Sequence, residues 1–339
     1  MKPVLKHFFT VLRIGIGVGL LWYLGASGAI EWRALLGMLH EWPLTLVAFL
    51  LLLVDMMVTS SRLCVLLAAR GMHLSVINST KLSLIGIFFN LCLPGSTGGD
   101  LMKIYYATEG NRGRRTEVTT IILLDRASGM FALMIWPLMA APFFPELLAR
   151  VPALKPLLAG AAIVGGVLLI AFLLAWSAWL RQSALLQWLF RRLPLGSYLE
   201  RVYETVYAYR NHPGPVLASI GISLVAHTMS VGVTMLAIAA VNPAGAAWPM
   251  AVLIPLGHLA NTVPLTPGGL GVGEAAFNKL FSMAGLTGGA EGLLGWRLLT
   301  VMIGLLGLWF YLQGRSKFVH QASDAATGEA APEPGNVPS

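Results

Sequence analysis

Charge is what this sequence has least of. Only 11% of its 339 residues are Asp, Glu, Lys or Arg, less than half of the quarter or so usual in soluble domains. A water-facing globule is therefore excluded. Cysteine is nearly absent, with Cys64 and Cys92 the two in the chain. Neither has a CxxC partner or metal-type spacing, so a disulfide scaffold and a zinc module are excluded, and both read as buried packing residues. The seven histidines show no HxxxH or HExxH spacing, and a metal ligand set of the usual kind is missing. Gly95-Ser96-Thr97-Gly98-Gly99 lacks the Gly-Lys-Ser/Thr ending of a nucleotide phosphate loop. No cofactor is expected.

What is present is hydrocarbon. Hydrophobic residues make up 56% of the chain, the mean hydropathy is +0.73, and several apolar runs reach the ~20 residues that a spanning helix needs. The composition predicts an all-α polytopic integral membrane protein. Its net charge of +8 is then a matter of loop asymmetry rather than of nucleic-acid binding. Full spans are expected over 8–27, 44–69, 119–144, 157–180, 215–240 and 293–313. The first lacks a convincing cleavage site and should stay as a helix. The basic residues cluster before, between and after alternate spans, with Arg62, Arg70 and the arginines of 181–212 on one side. This places both termini in the cytoplasm of an inner-membrane protein. The segment 28–43 reads as an external loop. Leu199, Val202, Tyr203, Val206 and Tyr209 recur at helical spacing, which suggests an amphipathic helix on the anionic leaflet or a solvated linker helix. Residues 319–339 read as a disordered cytoplasmic tail, and 1–318 as one transmembrane domain.

Two apolar segments are interrupted. Asn90-Leu-Cys-Leu-Pro94-Gly95-Ser96-Thr97-Gly98-Gly99-Asp100 breaks the first. Asn261-Thr-Val-Pro264-Leu-Thr-Pro267-Gly268-Gly269-Leu-Gly271-Val-Gly273-Glu274 breaks the second. Proline removes an N–H and glycine favours no helical state, so neither stretch can continue a helix. Freed backbone at membrane depth is tolerated only inside protein or beside a wet cavity. Basic residues flank the first segment on both ends (Lys81, then Arg112, Arg114 and Arg115), which makes it a re-entrant hairpin of two half-helices. The second then enters from the opposite leaflet. Units 44–144 and 215–313 are thereby expected to form an inverted repeat, a known plan for transporters with discontinuous helices.

The run Asn90-xx-Leu-Pro-Gly-xx-Gly-Gly-Asp100, Lys103 three residues on, and Asp125-Arg126-xx-Gly129 resembles the transmembrane domain of lysylphosphatidylglycerol synthase/flippase proteins. So does Pro264-Leu-Thr-Pro-Gly-Gly-Leu-Gly-xx-Glu274 with the later Arg297. The resemblance extends to about Arg315 and implies a flippase-like or lipid-handling membrane protein. Lys103 stands where many members have Arg, which keeps the charge but not the bidentate geometry. The segment after Arg315 is too short for the soluble aminoacyl-transferase domain of full-length synthases, so lysyl transfer is not implied.

A charge in hydrocarbon costs about 2.5–3.5 kcal/mol on insertion scales and usually faces a cavity or a partner. Asp100 with Arg126, and Glu274 with Arg297, are the expected pairs. They are either struts that pin each hairpin to the next span or, with Lys103 and Lys279, receptors for a lipid phosphate that the acids release. Asp125 and Arg126 are adjacent and point to different faces of a helix, so they are not expected to pair. Asp55, His227 and His258 are further intramembrane groups, with proton coupling one possible use. Asn90 and Asn261 are expected to satisfy backbone groups at the breaks. The expected function is translocation of an anionic lipid or lipid-linked precursor. A membrane phosphatase or transferase acting on polyprenyl phosphates, and a non-catalytic accessory subunit, stay open as alternatives.

Overall fold

The computed structural model describes residues 32–92, 98–109, 111–193, 196–242, 248–262 and 271–312. The expected span over 8–27, the turns that hold Pro94, Gly95, Pro267, Gly268 and Gly269, and the tail lie outside the described residues. Among the described residues there are helices and no strands.

The first helix, α1 (Trp32–His40), lies where the sequence suggests an external loop. It is a helix because it docks: Met38 is buried in one cluster with Val233, Ala237 and Leu299. Its Gly37 lies so close to the Ala240 carbonyl that an added Cβ would stand 3.1 Å from that oxygen. A long span, α2 (Trp42–Ala68), follows. Two short helices come next, α3 (Val76–Cys92) and α4 (Gly98–Glu109), and then a second long span, α5 (Arg115–Ala140). Serines stitch α3 to α2, with Ser60 donating to Ser83 at 2.9 Å and Ser79 donating to the Ser60 carbonyl at 2.9 Å. Small polar links of this kind substitute for hydrophobic driving force between helices in lipid.

A short helix, α6 (Pro145–Arg150), leads to α7 (Leu154–Trp176), whose Ile163, Val167, Ile170 and Leu173 face outward. An elbow of α8 (Ala178–Gln182), α9 (Ala184–Arg192) and α10 (Gly196–Ala208) comes next. The helix expected to lie on the leaflet over 199–209 is α10, and it does not lie free. It packs on α5 and α7, Tyr209 beyond it is buried, and the Tyr209 hydroxyl donates to the Leu66 carbonyl at 2.8 Å. Burial pushes the Tyr209 phenol upward, so it stays a neutral donor. The exposed apolar face belongs to α9, through Leu185 and Trp188.

The second unit repeats the order long, short, short, long: α11 (Gly214–Val241), α12 (Met250–Asn261), α13 (Val272–Met283) and α14 (Gly289–Leu312). Helix α12 is buried nearly all round, as expected for an apolar helix enclosed by others. Five described helices (α2, α5, α7, α11 and α14) are long and apolar enough to cross a bilayer. The protein is an integral multi-pass membrane protein.

Arg62 on α2 meets Ser223 on α11, and Leu51 lies against Gly232. As one helix advances the other therefore recedes, and the leading spans run antiparallel. Each unit also lends its first half-helix to the other, with α3 packing on α14 and α12 on α5.

Candidate functional site

Both hairpins close through glycine. Tyr106 on α4 packs with Leu82 and Ile85 on α3, and Gly99 meets Gly86, so the half-helices run antiparallel. A Cβ on Gly99 would fall on the Gly86 carbonyl oxygen. The Gly99 N–H donates to Asn90 Oδ1 at 2.7 Å. In the second hairpin Gly257 lies against the Phe277 ring, and Gly273 against Asn261 Oδ1 and Leu293. The pattern Gly-xxx-Asn, followed after the break by Gly-acid, therefore occurs twice, as Gly86/Asn90/Gly99/Asp100 and Gly257/Asn261/Gly273/Glu274. The spacing of each glycine four residues before its asparagine is the sequence signal for this closure, and the motifs at the breaks alone do not include it.

Substitution of Gly99 by alanine is expected to lower thermal stability by about 1–3 kcal/mol, because the clashing Gly86 carbonyl is backbone and cannot rotate away. Gly160→Ala on α7, with nothing within 4 Å of an added Cβ, should leave the melting temperature of the purified protein unchanged or slightly raised.

The acids after the breaks meet the expected arginines. Asp100 on α4 pairs with Arg126 on α5, and their side chains are 24% and 38% exposed. Glu274 on α13 and Arg297 on α14 make an ion contact of 2.6 Å, at 0% and 14% exposure. The first pair is half open and the second is sealed. Gly271, at φ +79°, supplies the left-handed residue that starts α13, and its N–H donates to Glu274 Oε2 at 2.7 Å. Asn261 reaches a side chain as well as the neighbourhood of the break. Its Oδ1 accepts from Arg297 Nη2 at 2.7 Å.

Two expectations need correction. The position of Arg62 near the end of a span assigns it to the cytoplasmic flank. It is instead 8% exposed, and it holds Asp125 in a fork, Nε to Oδ1 at 2.6 Å and Nη2 to Oδ2 at 3.0 Å. Its third nitrogen donates to Ser223 Oγ at 2.8 Å. Loop-charge counting reads position along the chain and is blind to which helix face a residue occupies. Asp125, a candidate binding residue, is thus committed to Arg62 and not to its neighbour Arg126. Cys64 is half-buried rather than enclosed.

Lys103, one turn after Asp100 and partly buried, makes no ion pair among the described residues, although Asp125 and Arg62 lie within its electrostatic reach. Where α2, α4 and α5 meet, three cations (Arg62, Lys103, Arg126) thus face two carboxylates (Asp100, Asp125). Of these three cations, Lys103 is the one that makes no ion pair among the described residues. Asp55, buried in α2, presents an oxygen with no hydrogen-bond partner among the described residues. His227 Nε2 meets the Gly129 carbonyl at 2.9 Å. His258 stands edge-on to Phe277 and Trp296. His258 Nε2 also lies 3.4 Å from Thr234 Oγ1. No group of three metal-ligating side chains occurs among the described residues.

No curated protein and no solved structure matches the chain. A family model described as "Lysylphosphatidylglycerol synthase TM region" matches residues 10–307, a stretch that takes in both hairpins and both acid–arginine pairs. On that match the chain belongs to the lysylphosphatidylglycerol synthase transmembrane-region family.

Proposed function

We propose that the protein translocates a phosphate-bearing anionic lipid or lipid-linked precursor across the inner membrane, through alternating access at its two hairpins. The observation that carries this reading is the asymmetry of two matching sites. Each inverted unit places an acid just after a glycine break and an arginine of the following span upon it. One pair is half open with a lysine beside it that makes no ion pair among the described residues, and the other is closed. Inverted units around broken helices favour transport by exchange of such states. Lys103 and Arg126 receive the phosphate, and Asp100 competes with it for Arg126, so the ligand can leave again. Asp55 is the buried position where a proton would complete the bonding, and it serves as the coupling group.

The test is a flip assay in proteoliposomes with headgroup-labelled anionic lipid. Wild-type protein is expected to accelerate flipping over empty vesicles. Lys103→Met is expected to slow it by about 10–100-fold, the loss of one hydrogen bond to a charged group. Arg150→Gln, in an exposed pair with Glu146, is the neutral control. Equal rates for wild type, Lys103→Met and empty vesicles would refute the reading.

A further inference from the structure

A second basic site lies away from the hairpins. At the end of the bundle where α5 begins, a cavity of about 720 Å³ is lined by Arg70, Arg114, Arg115 and Arg201, with Glu117 and Glu204. Glu117 is occupied by two guanidiniums, Arg70 at 2.7 Å and Arg114 at 2.7 and 2.9 Å. Glu204 is held at 3.0 Å by Arg181. Arg115 and Arg201 are exposed and make no ion pair among the described residues. Four guanidiniums against two carboxylates leave the cavity with two positive charges in surplus. The first turn of α5 opens onto the same space, and its Arg114 cap offers no side-chain bond to it. The positive end of its dipole adds to the attraction for an anion.

The same face of α5 continues into hydrocarbon. Glu117, Leu124, Ser128 and Phe131 are spaced seven, four and three residues apart and form one stripe of the helix. Leu124, Ser128 and Phe131 line a second cavity of about 250 Å³, with Leu169 and Phe172 of α7 and Ile220 of α11. Seven residues of helix separate Glu117 from Leu124, about 10 Å along the axis, which one amphiphile can bridge. Leu169 is 43% exposed, so the groove is open along the outer, lipid-facing side of α7.

We propose that the two cavities form one binding site for a phosphate-bearing lipid, with its headgroup among Arg115, Arg201 and the start of α5 and its chain in the α5–α7–α11 groove. The site is separate from the hairpin pairs and requires no translocation. A soluble phosphate would use the arginines alone, whereas a lipid uses both parts.

Binding is measured with the purified full chain in uncharged detergent. The Lys103→Met background weakens the hairpin site, so that it contributes less to the signal. The probes are dioctanoyl phosphatidic acid, dioctanoylglycerol and inorganic phosphate. Phosphatidic acid is expected to bind at least about tenfold more tightly than either of the others, since each of them lacks one half of the contacts. Arg115→Gln with Arg201→Gln should cost about tenfold or more for phosphatidic acid, and these side chains are exposed, so folding is not at stake. Leu169→Trp, which fills the groove, should weaken phosphatidic acid and leave phosphate unchanged. Phosphatidic acid binding that ignores the double arginine substitution overturns the site. Phosphate that binds as tightly as phosphatidic acid, with no effect of Leu169→Trp, overturns the lipid assignment. Failure here leaves the flip rates of Lys103→Met untouched, so the two readings fail separately.

Discussion

Replacing Arg62 with alanine is expected to destabilise the fold by about 3–5 kcal/mol, the range for a buried charge stripped of its partner. Asp125 is 6% exposed, and Arg62 supplies both donors within 3.0 Å of its oxygens. With the guanidinium gone, the carboxylate is left in a nearly closed bundle, and Ser223 loses the donor at its hydroxyl. Arg62→Lys should fall between wild type and alanine. An ammonium keeps the charge but cannot fork onto Asp125 while also reaching Ser223. Arg62→Ala combined with Asp125→Ala should recover much of the loss, because no charge is then stranded. Melting curves of the four proteins in one detergent measure this order. If Arg62→Ala melts with the wild type, the fork contributes nothing to the junction of α2, α5 and α11.

Arg62 also marks the limit of what a sequence pattern reveals. The long spans are legible because a run of some twenty apolar residues has hardly any place in a water-soluble fold. The hairpins are legible because proline and glycine in hydrocarbon demand a reason. Asp100 pairs with Arg126 and Glu274 with Arg297 on the same logic, each acid following a break and each arginine sitting in the next span. Arg62 and Asp125, 63 residues apart, carry no such local sign, and charge counting sends Arg62 to the wrong place. The loop expected over 28–43 contains α1 because neighbouring helices cover Met38, and one chain's pattern does not show what will cover it. The helix at 196–208 announces its apolar stripe but not its partner. A stripe states that a face is buried and leaves open whether lipid or protein buries it.

The second large effect belongs to Glu274. It is fully buried, it caps α13 through the Gly271 N–H, and it touches Arg297, which in turn binds Asn261. One carboxylate thus joins α12, α13 and α14. Glu274→Ala is expected to cost about 3–5 kcal/mol, because Arg297 would be left enclosed without its counter-ion. Glu274→Gln keeps the acceptor for Gly271 and should cost less. Asp100→Ala should cost only about 0–1 kcal/mol, since its pair with Arg126 is partly solvated. Flip rates are expected to follow a different order. Under alternating access the sealed pair must open in the opposite state and do there what the open pair does here. Asp100→Ala and Glu274→Gln should therefore both abolish transport, despite their unequal effects on melting. Asp100→Ala protein that folds normally and still flips lipid at the wild-type rate would reduce the first pair to a strut, and the second, by its inverted correspondence, to a stronger one.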